Sequence, residues 1–274
     1  MAPPPFARPS PLYVMLTINS TDKRVLLDRV RQELKHCATR KITNLTIRDC
    51  QNLAPAGTGT GTVQDHLERD AGSPWAHHCH QYGPLSLRSP PASCPRLPVQ
   101  RSRSRCYVVS LRDPPARVAS AFAFQHRNPS PLVWPALGGV GHLQRLVRAY
   151  VMGLQGRQPM PKTHPSMVFF SIPQADYLRH IDCKHDELHL LCTERLNEMW
   201  AEFVDTFADR FAKYEERHRH ARLNSSTPGF SPGDGEYLRQ HLSSDYLLWL
   251  AACNATPGDR RGADGESASV LEEH

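Results

Sequence analysis

Residues 106–122, CYVVSLRDPPARVASAF, leave little choice of local structure. The short apolar run CYVVSL predicts a buried strand over 106–111. Arg-Asp-Pro-Pro ends it, because proline cannot donate to a sheet ladder. Both prolines suit the first turn of a helix, where a missing N–H costs little, so a helix is expected from about residue 115. A buried strand running directly into a helix points to an α/β fold with a parallel sheet.

The rest of the chain extends this pattern. Strands are expected over residues 12–18 (LYVMLTI), 43–47, 167–172 (MVFFSI) and 187–192. Amphipathic spacing predicts helices in DKRVLLDRVRQELKHC, from 63 to 69, over 141–155, over 194–214 and over 235–252. Strands alternating with helices give a central parallel sheet with helices on both faces, and 274 residues suffice for one such domain, placed at 12–255. Residues 1–11 and 256–274 have the composition of disordered ends, and 84–105, rich in Pro, Ser and Arg, reads as a long surface loop.

The net charge of +6 and pI near 9.0 favour anionic partners. No run reaches the roughly 18 apolar residues of a membrane span, and none has the profile of a signal peptide. Four asparagines nevertheless open glycosylation triplets: Asn19-Ser-Thr, Asn44-Leu-Thr, Asn224-Ser-Ser and Asn254-Ala-Thr. Chance supplies about one at average Ser and Thr usage. With 8 cysteines, this favours a secretory lumen and a targeting segment outside this chain, against a cytosolic chain with reduced thiols and accidental triplets. The cysteines form no CxxC pair, which argues against a zinc ribbon and leaves any disulfide pairing open.

Three segments carry chemistry. Arg112 stands at the carboxyl end of a strand, where open α/β sheets bind ligands, and its guanidinium can hold a phosphate by two parallel hydrogen bonds. Ser120, about one and a half turns into the helix, can return a hydroxyl to the same anion. An exposed arginine and a packed serine account for the spacing as well. GTGTGT, from Gly57 through Thr58, Gly59, Thr60 and Gly61 to Thr62, offers consecutive backbone N–H groups before a helix, an anion cradle or a flexible surface loop. HHCH, residues 77–80, offers neutral imidazoles suited to proton transfer near neutral pH. A metal site is the weaker reading there, since residues this crowded do not easily surround one ion, and a polar loop without a role stays open.

RDPPARVASAF resembles the 3′-phosphate-binding motif of sulfotransferases, with Arg112, Asp113, Pro114, Arg117, Ser120 and Phe122 in register. HHCHQYG is similar to the His-x-His segment upstream of that motif in uronyl and heparan 2-O-sulfotransferases. LHLLCTERLNEMWAEF resembles their Thr-Glu-x-Leu segment, at Thr193, Glu194 and Leu196, and GEYLRQHLSSDYLLW their closing helix, with Asp245 and Tyr246 matching. The resemblance spans roughly residues 54–252. It implies a P-loop-like sheet and transfer of a sulfuryl group from 3′-phosphoadenosine 5′-phosphosulfate to a hydroxyl, chiefly of a carbohydrate. Residues 57–62 would take the 5′-phosphosulfate, Arg112 and Ser120 the 3′-phosphate, His80 the acceptor proton, and His78 a supporting role. The implied partner is an acidic or neutral glycan, with no nucleic acid and no metal. The implied compartment is the Golgi lumen, with any membrane anchor outside this chain.

The chain departs from the family in the 5′-phosphosulfate loop, typically Pro-Lys-Thr-Gly-Gly-Thr, and residues 12–53 fit the family pattern poorly. Pro55 matches the proline of the 5′-phosphosulfate loop, but Ala56 replaces the lysine after it. Pro161-Lys-Thr lies after the RDP motif instead of before it and is taken as coincidence. Two further readings follow: a relative that binds nucleotide or glycan without turnover, and a nucleotide kinase, against which stands the lack of Gly-Lys-Ser/Thr.

Overall fold

The structure, a computed structural model, describes residues 9–18, 22–39, 50–53, 106–127, 139–159, 172–179, 181–207 and 231–254, together with Ile47, Val63 and Leu67. Its centre is a parallel sheet of three strands in the order β1 (Cys50–Leu53), β2 (Cys106–Leu111) and β3 (Glu187–Cys192). β2 lies in the middle. Cys50 pairs with Cys106 on one side of it, and Cys106 with Glu187 on the other. All of β2 except Tyr107 is buried, as a central parallel strand requires.

The strands' alternation divides the core. Val109 and Leu111 of β2, with Leu53 and Leu188, pack against α1 (Pro11–Thr17), α2 (Lys23–Thr39) and α7 (Ser243–Cys253) through Leu12, Leu16, Val30, Leu34 and Leu248. Cys106, Val108 and Leu191 face the other way, onto Met199, Trp200 and Phe203 of α5 (Leu196–Asp205). Helices therefore cover both faces. A third cluster joins α3 (Pro114–Arg127), α4 (Gly139–Leu154) and α6 (Pro232–His241) through Val118, Phe122, Val147, Val151 and Leu238.

Several expectations are corrected. Residues 12–17, expected with Ile18 as a strand, belong to α1, and Ile18 caps it. Ser10 accepts the Tyr13 N–H at 3.1 Å, Pro11 occupies the first turn, and Leu12 and Leu16, four apart, share the buried face. Ser10 is itself buried and donates to the Leu178 carbonyl at 3.1 Å, so order begins before residue 12. The strand expected over 43–47 lies mostly outside the described residues; Ile47 is in a 3-10 turn, and the first strand among the described residues is β1. Of 167–172 only Ile172 is described, in a bend before the 3-10 turn Gln174–Leu178. The helix expected from 194 begins as a 3-10 turn, Thr193–Arg195, before α5. The helix expected over 235–252 is two, because Leu242 (φ −103°, ψ 47°) leaves helical geometry. The break lets α6 bury Leu238 in the third cluster while α7 buries Leu248 under the sheet.

The strands expected at 106–111 and 187–192 form with those bounds. Val63 and Leu67 are helical and buried, while the remainder of 63–69, residues 84–105 and 256–274 lie outside the described residues.

Among the described residues three disulfides tie the layers together. Cys37–Cys183 joins α2 to the segment before β3, Cys50–Cys106 joins directly opposed residues of β1 and β2, and Cys192–Cys253 joins the end of β3 to α7. Among the described residues no helix is long and apolar enough to cross a membrane.

The end of α4 gives a first prediction. Gly156 has φ 69°, its N–H donates to the Gly153 carbonyl and that of Arg157 to Met152, both at 2.9 Å, closing the helix with a left-handed residue. A Cβ there would meet nothing within 4 Å. Gly156→Ala should therefore cost only the backbone strain, about 1–2 kcal/mol, read as a lower midpoint in urea denaturation.

Candidate functional site at the carboxyl ends of the central strands

Past Leu111 the chain must leave the sheet without stranding its backbone polar groups. Side chains from two other segments receive them. The Thr193 hydroxyl donates to the Leu111 carbonyl at 2.8 Å. Gln174 takes the Arg112 N–H on its side-chain oxygen and gives its side-chain N–H to the Arg112 carbonyl, each at 2.9 Å. Glu194 accepts the Asp113 N–H at 3.1 Å. The Asp113 carbonyl then accepts the Arg117 N–H at 2.9 Å, opening α3. The RDPP turn is thus fixed from β3's exit and from the 3-10 turn as well as by its own prolines.

Beneath the turn lies a buried ion pair. The Arg117 side chain, 2% exposed, donates to Asp245 Oδ2 at 3.2 Å and to the Ile172 carbonyl at 2.7 Å. Asp245, fully enclosed, accepts the Ala175 N–H on Oδ1 at 3.0 Å and also draws hydrogen bonds from Gln174. Burial pushes the Asp245 carboxyl above its ordinary 3.8, and Arg117 is the strongest force in the other direction.

The rim is charged and aromatic. Arg239 of α6 binds both oxygens of Asp113, at 3.3 and 3.0 Å, and that hydrogen bonding raises its pKa. Its guanidinium lies 5.5 Å from the Tyr246 ring centre, and Tyr246 stacks on Trp249 with planes 14° apart. The Trp249 indole N–H donates to Glu194 at 3.4 Å. Burial lowers the pKa of Arg112 itself, while the carboxylates of Glu194 and Asp113 pull it upward. The arrangement is a fixed cation at a strand's carboxyl end, and an anion able to displace solvent beside Arg112 would share its field with Glu194.

Of the residues singled out in the sequence, Arg112 is half-buried at this end of the sheet. Ser120 is half-buried in the second turn of α3, three residues beyond Arg117 and so on the same side of the helix. Glu194 and Asp245 join the site, although it is Arg117 that Asp245 serves. Gly57, Thr58, Gly59, Thr60, Gly61 and Thr62, with His78 and His80, lie outside the described residues. Sequence reading missed Gln174, Arg239 and Trp249. Gln174 sits in IPQADYL, where no periodicity marks it; Arg239 and Trp249 read as ordinary positions of amphipathic helices. Among the described residues no three His, Cys, Asp or Glu side chains are grouped to hold a metal ion. Set against models of protein families, curated proteins and solved structures, the chain finds no match.

Proposed function

We infer that the chain is a sulfotransferase that moves a sulfuryl group from 3′-phosphoadenosine 5′-phosphosulfate to a hydroxyl, chiefly of a carbohydrate. The observation that carries this reading is the RDPPARVASAF segment at the exit of the central strand. There Arg112 is held at the carboxyl end of the sheet, and Ser120 follows on the adjoining helix. In this reading the sheet is the core of a P-loop-like α/β fold. Arg112 and Ser120 bind the 3′-phosphate, and residues 57–62 take the 5′-phosphosulfate. The acceptor oxygen attacks sulfur in line and the sulfur–oxygen bond to the 5′-phosphate breaks. His80, supported by His78, takes the hydroxyl proton, and 3′-phosphoadenosine 5′-phosphate leaves. The disulfides support an oxidising compartment, the Golgi lumen in this reading, and the exposed Asn254 of the Asn-Ala-Thr triplet is consistent with it. The net positive charge favours an acidic glycan acceptor, whose approach added salt should slow.

Calorimetric titration with 3′-phosphoadenosine 5′-phosphate tests the donor site. Wild type should bind, and Arg112→Ala should bind about 10–100-fold more weakly, the equivalent of losing hydrogen bonds to a charged group. Arg112→Lys should fall between, since it keeps the charge and loses the two-pronged geometry. Absence of binding by folded wild type sinks the reading. Tighter binding of a nucleoside triphosphate with Mg²⁺ would favour a nucleotide kinase instead. Ala56, in place of the loop lysine, favours a second reading, donor binding without turnover. Binding together with no sulfation of any acceptor in a glycan screen, by wild type as by His80→Ala, is its signature.

A further inference from the structure

We propose that Gln174 is the positioning residue that aims Arg112 at the 3′-phosphate, a role that rests on the donor-site reading above. The geometry is specific. In extended backbone one residue's N–H and C=O point to the same edge, where a neighbouring strand would normally meet both. At Arg112 a carboxamide meets them instead, with its oxygen on the N–H and its nitrogen on the carbonyl, both at 2.9 Å. Glutamine is suited to this because its amide carries an acceptor and a donor side by side.

The clamp is itself held. Gln174 has no exposed surface, the Ala175 N–H is tied to Asp245, and Asp245 is locked to Arg117. A continuous buried network thus runs from the Arg112 main chain through Gln174 and Asp245 to Arg117 on α3, the helix that also carries Ser120. The two groups assigned to the 3′-phosphate are set relative to each other through this network. A neutral amide can grip the Arg112 backbone without adding a further carboxylate to Glu194 and Asp113, which already face its guanidinium.

The test compares adenosine 3′,5′-bisphosphate with adenosine 5′-phosphate. The dissociation constant of adenosine 5′-phosphate divided by that of the bisphosphate isolates recognition of the 3′-phosphate. Gln174→Met, similar in volume and without hydrogen bonds, should lower that ratio about tenfold while binding of adenosine 5′-phosphate stays unchanged. A residue with only a structural role would weaken both ligands alike.

Gln174→Glu provides a pH signature. When protonated, the introduced carboxyl again offers one acceptor and one donor. The ratio, taken relative to wild type at each pH, should therefore recover in acid and collapse as pH rises. An unchanged ratio in folded Gln174→Met, with Arg112→Ala losing it, overturns the clamp and leaves the donor site standing. Wild type binding neither nucleotide overturns the donor reading and this inference with it. Should neither variant fold, amide exchange in wild type decides. The Arg112 N–H should be protected and become more so with the bisphosphate, and exchange at the rate of open backbone overturns the proposal.

Discussion

Replacing Arg117 by methionine should remove about 3–5 kcal/mol of stability, because it leaves the enclosed Asp245 carboxylate without its cation. The effect has a pH signature. In the wild type the folded Asp245 has a pKa above the ordinary 3.8, so its contribution to stability is complete below 3.8. That contribution diminishes as pH rises through the interval up to the folded value, then levels. Arg117 is the largest force holding that folded value down. Without it the interval extends upward, and Arg117→Met should go on losing stability at pH values where the wild type has levelled. Chemical denaturation at about pH 4 and about pH 7 should therefore show the larger deficit at the higher pH. Adding Asp245→Asn, which keeps an acceptor for the Ala175 N–H, should recover much of the loss. A single variant with wild-type stability at both pH values would refute the ion pair's role.

The second large effect is expected from Cys37→Ala with Cys183→Ala. That bridge joins positions 146 residues apart, and chain entropy alone assigns it about 5 kcal/mol. Cys50–Cys106 lies inside the same span and already shortens it, so about 4 kcal/mol is the expected loss. Because the dependence on span is logarithmic, removing Cys192–Cys253, with a separation of 61, should cost nearly as much, again about 4 kcal/mol. Urea titration should show a lower midpoint together with a steeper slope, since the unfolded chain expands once released. A midpoint insensitive to reduction of these bridges would contradict this account.

Much of the framework could be read from residue order. CYVVSL before Arg-Asp-Pro-Pro fixed the central strand and the start of α3, because an apolar run ending at two prolines has few alternatives. LYVMLTI shows the limit. Its β-branched and aromatic content reads as a strand, yet Ser10-Pro11 before it is a helix-start signal, and that capping geometry prevailed over propensity. The single helix expected over 235–252 failed because periodicity does not reveal that its two halves bury side chains in different clusters. At the site, Arg112 was legible from its place at a strand end. Gln174 was not, because its role depends on the Arg112 backbone 62 residues away. The same holds for Arg239, whose partner Asp113 is 126 residues distant.

The bridge between the first two strands bears on how the chain can be cut and how it can grow. Cys50 and Cys106 face each other across the sheet with Cα atoms 4.4 Å apart, so residues 51–105 leave and return at neighbouring points of one covalent ring. A single nick in that ring yields two pieces that stay together until a reductant is added, and would pass unseen on a non-reducing gel. Insertions are tolerated for the same reason: with both ends pinned, each doubling of the ring adds only about 0.6 kcal/mol of closure entropy. Residues 57–62 and 77–80 belong to that ring, so new segments can be inserted beside them while β1 and β2 keep their register.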